Sequence, residues 1–395
     1  MQVFWTVAGL LGFAAALLAI YRFVRPQKTI TPEQLSEAIE QAFNHYFAIA
    51  DKPAEQLVAA SDEDRLRLLA QATKAQREHR YAEAAELLQS CLRPHLPPQE
   101  RAALHNLIGN SYMYMGQHQE AEPHYREVLS AAEEINDDQA RATALCNLGI
   151  VYRYRGDLDE AERRYKKAIV IRENIGDRQG QANALCNLGI LYAARGELHK
   201  AEQHCKEALA IHEEIRDRFG QAHDLGNLGI VYTQRGELDK AEEHHKKALA
   251  LSRKIKHRLS EAQDLGNLGV VYYRTGDLHK AEEHLKQGLT IHKEIGNRLG
   301  QANELGNLGL VYQKRGELDR AEEHHKRALA IDQEIGNPLG QAATLTNLGV
   351  LAEERGDADK ARSLLNQAKA LYEAIDAGGP NPEAVRRALE RLGLP

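Results

Sequence analysis

One feature constrains this chain more than any other: a pattern of forty residues recurs along it with the same small residues at the same places. A clear copy runs from Leu225 to Gly229 and continues to Tyr232, Gly236 and Ala241. Self-similarity at a period of this length predicts a solenoid, in which each unit packs only on its neighbours. The recurring glycines are Gly109, Gly149, Gly189, Gly229, Gly269, Gly309 and Gly349, and the recurring alanines are Ala121, Ala161, Ala201, Ala241, Ala281, Ala321 and Ala361.

Each unit reads as a pair of helices. In one copy, apolar residues recur at helical spacing from Leu145 to Tyr152, stop around Gly156, and resume from Leu158 to Ile171. A glycine at the end of a helix tolerates the left-handed backbone that ends it. Gly149 and Ala161 are expected to face each other, so that the two helices approach closely. The sequence therefore predicts a helical hairpin.

The hairpin pattern matches a known repeat. The residues from Leu148 to Tyr152, followed by Gly156, Ala161 and Tyr165, resemble the tetratricopeptide repeat consensus. The forty-residue period and the Leu-Gly-Asn triplets resemble the repeats of the Leu-Gly-Asn cell-polarity adaptors and of kinesin light chain. The resemblance covers residues 65–375 and implies an all-α, right-handed superhelical solenoid of about eight helical hairpins. In those families the repeats are non-catalytic adaptors, and the inner groove of the superhelix holds a peptide of a partner protein.

The N-terminal segment has a different character. Residues 3–21 contain no charged residue and nearly reach the roughly 20 apolar residues that span a bilayer as a helix. Arg22, Arg25 and Lys28 follow it, and an excess of positive charge marks the cytoplasmic side. We therefore expect a single-pass transmembrane anchor within residues 1–24, in the cell membrane, with the repeats facing the cytoplasm.

The remainder is expected to divide into three parts. Residues 25–60 read as a membrane-proximal helix and spacer, because Thr31 and Pro32 resemble a helix start. Residues 61–376 form the repeat array, and residues 377–395 form a C-terminal helix that caps it.

Composition and motifs narrow the chemistry. The formal net charge is -6 with both signs interspersed, so nucleic acid is not an expected partner. No phosphate-binding loop, nucleophile elbow or zinc-protease motif occurs, so we expect no enzyme, no catalytic residue and no cofactor. Histidines recur at one position of the second helix, but one repeat apart they do not gather around one metal ion, and we expect a partly exposed surface instead. These are His124, His204, His244, His284 and His324, with His245 and His325 beside two of them.

The candidate binding surface follows from the resemblance, which implies that the first helix of each hairpin lines the groove. An asparagine recurs there, and its amide both donates and accepts hydrogen bonds, which suits a peptide backbone. A structural role, in which each amide bonds to a neighbouring helix, fits equally well. The asparagines are Asn147, Asn187, Asn227, Asn267, Asn307 and Asn347.

Two further sets of positions belong to this surface. Gly226, Gly266 and Gly306 are expected to keep the base of this binding surface narrow, because they have no side chain. Aliphatic residues such as Ile150 are expected to supply apolar area. Specificity should come from residues that differ between copies, where basic and aromatic groups suit an acidic peptide with apolar anchors. The alternative is that these basic and aromatic groups are solvated side chains that bind no partner. These residues are Arg153, Tyr154, Tyr273, Arg274 and Lys314.

The sequence as a whole predicts a membrane-anchored scaffold or adaptor that binds a partner protein or peptide in the groove of the array. One alternative is a structural scaffold that assembles with copies of itself, as a homo-oligomer without a separate client. A less favoured alternative is a sensor of a small ligand or peptide.

Overall fold

The computed structural model describes residues 62–78, 80–374 and 380–393, which contain seventeen α-helices and no strand. The predicted all-helical solenoid is therefore confirmed. The helices are α1 (Asp62–Arg77), α2 (Tyr81–Gln89), α3 (Pro98–Tyr114), α4 (His118–Glu134), α5 (Asp138–Tyr154), α6 (Leu158–Asn174), α7 (Arg178–Ala194), α8 (Leu198–Glu214), α9 (Arg218–Arg235), α10 (Leu238–Lys254), α11 (Arg258–Thr275), α12 (Leu278–Glu294), α13 (Arg298–Lys314), α14 (Leu318–Glu334), α15 (Pro338–Glu354), α16 (Ala358–Ala374) and α17 (Pro380–Arg391).

Taken in order, α1 to α16 make up eight successive pairs of a first and a second helix. The chain forms two compact units, Met1–Leu191 and Tyr192–Pro395. The expected anchor at residues 3–21 and the spacer at residues 25–60 lie outside the described residues. Within the described part, no helix combines the length and the apolar character that crossing a bilayer requires.

The turns between helices are specified locally, as the sequence predicts. Gly156 and Gly176 adopt left-handed backbones, with φ of 80° and 71°. Next to Gly156, the Asp157 carboxylate accepts a hydrogen bond from the backbone N–H of Glu160 at 3.3 Å. That contact satisfies one of the open N–H groups at the start of α6.

The close approach inside a hairpin also involves a large residue of the second helix. A Cβ added to Gly149 would lie 2.6 Å from the Tyr165 ring, so this glycine makes room for Tyr165. A Cβ added to Gly269 would lie 2.6 Å from Cγ of Leu285 and 3.3 Å from the carbonyl oxygen of Ala281. A glycine is therefore needed at this position because the large residue sixteen positions later occupies the space of a Cβ atom.

Successive hairpins are joined by a recurring hydrogen bond. The Tyr152 hydroxyl donates to Oε1 of Glu122 on the preceding second helix at 2.9 Å. Within the second unit, Tyr232, Tyr272 and Tyr312 make the same bond to Glu202, Glu242 and Glu282 at 2.7, 2.8 and 2.7 Å. The repeat tyrosine thus fills space and also ties one hairpin to the next.

The last helix covers the apolar end of the array. Val385, Ala388 and Leu389 of α17 are buried against Leu365 and Tyr372 of α16. Since each hairpin leaves one apolar face for its successor, α17 shields the face that the last hairpin exposes.

Candidate functional site

The first helices of the first unit form a shallow pocket of about 180 Å³. It lies where α3 and α5 meet, beside the second helix α4. Two residues that sequence analysis placed on the binding surface, Asn147 and Ile150, help to line it. The full lining is Asn110, Met113, Tyr114, Tyr125, Asn147 and Ile150.

Hydrogen bonds hold the polar groups of this pocket in place. The Tyr125 hydroxyl donates to Oδ1 of Asn110 at 2.7 Å. The Asn147 amide donates to Oδ1 of Asn106 at 3.1 Å, which joins the first helices of two neighbouring hairpins. Within the described residues the Asn147 amide oxygen accepts no hydrogen bond, so it is open to a donor from a ligand.

Exposed aromatic rings lie at the ends of α3 and α5, the two first helices that line the pocket. Tyr114 is 61% exposed and stacks on Tyr81 with ring centroids 4.7 Å apart. One repeat later, Tyr154 is 55% exposed, stacks on His118 at 4.5 Å and lies 4.4 Å from the Arg153 guanidinium. Arg153 has no carboxylate partner in the part of the chain that the structure describes. Tyr114 therefore gives the pocket an exposed aromatic side, and Arg153 stands three residues after Ile150 on α5.

In the second unit, the variable residues contact the array itself. Arg274 Nη1 donates to the carbonyl oxygen of Thr233 at 2.8 Å. Lys314 Nζ donates to the carbonyl oxygen of Tyr273 at 2.9 Å and lies 4.5 Å from the centre of its ring. Both carbonyls belong to the last turn of the preceding first helix, where a cation interacts favourably with the helix dipole. These contacts favour a structural role for Arg274 and Lys314.

The other recurring asparagines occupy equivalent positions on their first helices. Asn187, Asn227, Asn267, Asn307 and Asn347 are all half-buried on first helices. The Asn227 amide lies 3.3 Å from Nδ1 of His223 on its own helix. Their role in binding a ligand stays a prediction.

Sequence analysis missed a set of buried acids on the first helices. Asp264 and Glu304 are 5% and 4% exposed. Ser252 Oγ donates to Asp264 Oδ2 at 3.0 Å, and burial raises the pKa of Asp264 to about 7. Burial likewise raises the pKa of Glu304 to about 8. The signal was present, because each acid stands two positions before the middle glycine of a Leu-Gly-Asn triplet.

Those buried acids explain two of the glycines in the Leu-Gly-Asn triplets, Gly226 and Gly266, better than the expected role of keeping the binding surface narrow. A Cβ added to Gly226 would lie 3.4 Å from Oδ1 of Asp264, on the next first helix. A Cβ added to Gly266 would collide with Oε1 of Glu304. Gly306 has open space around it, and the buried residue one repeat on from Glu304 is Thr344. Gly226 and Gly266 therefore leave room for a buried carboxyl of the next hairpin, whereas Gly306 does not.

The recurring histidines pack on the repeat tyrosines. His244 lies 4.9 Å from the Tyr232 ring, and His284 lies 5.0 Å from the Tyr272 ring. Their neighbours differ from the expected exposed surface: His245 and His325 are 1% and 0% exposed. The reason is that each lies against a repeat glycine, Gly229 or Gly309, which leaves room for the ring.

Helical hairpins that bond to each other through recurring positions define a helical repeat protein. The family model described as tetratricopeptide repeat matches residues 100–174, 155–214, 180–254, 222–294 and 300–374. The chain therefore belongs to the tetratricopeptide repeat family, as the sequence resemblance predicts. A comparison with curated proteins found no match.

Several solved structures share the fold. Aspartyl phosphate phosphatase F from Bacillus subtilis is 12% identical, with 96% of this chain and 97% of that chain covered and a TM-score of 0.58. A Rap protein complexed with competence and sporulation factor is 17% identical, with 84% and 97% covered and a TM-score of 0.55. The apo form of RapI is 15% identical, with 69% and 99% covered and a TM-score of 0.56.

Proposed function

We propose that this protein is a non-catalytic scaffold that binds a partner protein or peptide on the first-helix surface, with the pocket between α3 and α5 as an anchor point. The observation that carries the proposal is the pocket itself, which places Asn147 and Ile150 beside the exposed Tyr114 ring. The Rap structure with competence and sporulation factor is an example of this fold in a complex. Apolar pockets with a few convergent polar groups are the usual form of a ligand site.

The pocket specifies the chemistry of the bound segment. Met113, Tyr114 and Ile150 offer an apolar surface to one side chain of the partner. The Asn147 amide oxygen accepts a backbone N–H, and Arg153 forms a charge-assisted bond to a carboxylate. We therefore expect an apolar anchor residue with an aspartate or glutamate next to it.

Residues 3–21 supply the second part of the proposal. Their apolar length suits a membrane anchor, and the cations that follow favour a cytoplasmic array. A cysteine introduced in place of the exposed Val170 should react with an impermeant thiol reagent only after cells are opened. Labelling of intact cells would overturn the cytoplasmic placement.

Peptide display on the immobilised full chain tests the binding site. We expect recovery of sequences with an apolar residue flanked by acids, and at least tenfold weaker binding to the variant Tyr114→Ala/Ile150→Asp, since a lost anchor costs more than about 1 kcal/mol. Val170→Asp on α6 is the matched control, because Val170 is exposed on another helix of the same unit. Equal binding of the selected peptides to both variants would refute this site.

A further inference from the structure

Two turns of the second unit hold a cation in a strained backbone conformation. Arg216 and Lys256 follow the second helices α8 and α10, and each has a φ of 58°. The equivalent residues in the next two turns are Gly296 and Gly336, with φ of 69° and 64°. The left-handed region is unfavourable for residues with a Cβ and accessible to glycine.

The strain at these turns is not required by the fold. Gly296 and Gly336 show that the same turn forms with the residue that best tolerates it. A strained residue persists only where something else selects the side chain, and such residues cluster at functional sites. The side chains of Arg216 and Lys256 are both exposed. The property that these residues add and glycine lacks is an exposed positive charge.

The two turns form one continuous surface. The Phe219 and His257 rings meet edge to face, with centroids 4.9 Å apart. Phe219 follows Arg216 by three residues, and Leu259 follows Lys256 by three, so each exposed cation has an apolar neighbour at the same end of the hairpins. We call residues 213–219 and 253–259 the basic turn pair.

Several cations of the basic turn pair are available for a partner. Arg253 and Arg258 are engaged with Glu261 at 3.0 and 2.7 Å. Lys254 and Lys256 are exposed and have no carboxylate partner among the described residues, and the same holds for Arg216.

Acidic residues occur only in the first of the two turns. There Glu213 and Glu214 are exposed, while the Asp217 side chain accepts from the backbone N–H groups of Phe219 and Gly220 at 3.0 and 3.1 Å. The second turn has four cations and no acid between Arg253 and Leu259. Positive charge is therefore concentrated around Lys254 and Lys256.

We propose that the basic turn pair binds the surface of a membrane that contains anionic lipids. The cations stand on exposed turns rather than inside a pocket, which suits a broad, flat partner. Interfacial membrane binding combines cations that attract anionic headgroups with apolar side chains that enter the headgroup boundary, and this surface presents both. Phe219 and Leu259 supply the apolar part.

Hydrogen–deuterium exchange of the full chain tests this surface. The protein is placed with nanodiscs of phosphatidylcholine alone or with about 30% phosphatidylserine, and exchange is followed in residues 213–219 and 253–259. We expect exchange there to be at least about fivefold slower with the anionic nanodiscs, which is the effect of one bound cation. Arg216→Gln/Lys256→Gln should remove the difference. Equal exchange with both lipid compositions would overturn the proposal.

Two further variants separate charge from backbone strain. Arg216→Gly/Lys256→Gly removes the cations and relieves the strain, so it should melt at a higher temperature and still lose the lipid-dependent protection. Lys167→Gln/Lys369→Gln removes two exposed cations from other helices and should keep the protection. Protection that survives in the glycine variant would contradict the proposal. Slower exchange with polyglutamate but not with anionic nanodiscs would replace the membrane with an acidic protein partner.

Discussion

Glu304 makes the stability of the second unit depend on pH in a defined direction. Its carboxyl is 4% exposed, and burial raises its pKa to about 8. The facing groups are Asn307, which hydrogen-bonds to it, and His292, whose Nε2 lies 4.0 Å from Oε1 and whose pKa is itself lowered by burial. Both neighbours are therefore neutral where Glu304 titrates.

The sign follows from proton linkage. At low pH the Glu304 carboxyl is protonated in both the folded and the unfolded chain, so its titration does not lower the free energy of unfolding. As the pH rises, the unfolded chain releases the proton first, and the fold loses stability until the folded carboxyl also ionises near pH 8. Each pH unit between the two pKa values is worth about 1.4 kcal/mol, which gives an upper limit of about 5 kcal/mol, and relaxation of the site lowers this to about 2–4 kcal/mol.

The substitution Glu304→Gln keeps the shape of the side chain and removes its titratable carboxyl group. Against the original chain, it should be about 2–4 kcal/mol more stable at about pH 8.5, and the difference should shrink towards zero at about pH 5. Urea denaturation followed by circular dichroism at the two pH values measures this. Glu323→Gln, at an exposed glutamate on α14, is the control and should change little at either pH. A Glu304→Gln effect of equal size at both pH values would show that ionisation of Glu304 does not destabilise the fold.

Two more predictions concern packing. His325 is fully buried, and neither ring nitrogen has a hydrogen-bond partner in the described residues. His325→Leu introduces the side chain that Leu285 has one repeat earlier, and it should raise the free energy of unfolding in urea by about 1–3 kcal/mol. A loss of stability would show that the imidazole has a partner. Gly269→Ala would put a Cβ 2.6 Å from Leu285 and should cost about 1–3 kcal/mol. Gly306→Ala, with open space around it, should instead stabilise α13 by about 0.5–1 kcal/mol. Equal effects of the two alanines on the thermal midpoint would contradict the packing assignment.

The hairpins were accessible to sequence reasoning because their determinants are local. The helical spacing from Leu145 to Tyr152 and the left-handed Gly156 lie within a few residues of each other. The bond from Tyr152 to Glu122 joins residues thirty positions apart, and nothing in a chain rich in glutamate singles out Glu122 as the acceptor. Contacts between hairpins therefore required the structure.

The candidate site was predicted in part for the same reason. The repeat placed Asn147 and Ile150 on one surface, and the structure brings both to one pocket. Tyr114 and Tyr154 stack on Tyr81 and His118, which begin second helices, and periodicity does not encode these ring contacts. The burial of His325 was hidden as well, because it depends on the space left by Gly309.

Binding of a separate partner to the first-helix surface can be tested in cells. The most direct measurement is photocrosslinking in cells, with a crosslinking amino acid placed at Ile150 or, as a control, at Val170. We expect a discrete adduct with another protein at position 150 and no such adduct at position 170. Adducts that are the same at both positions, or that contain only a second copy of this chain, would contradict this expectation, and the latter would favour self-assembly.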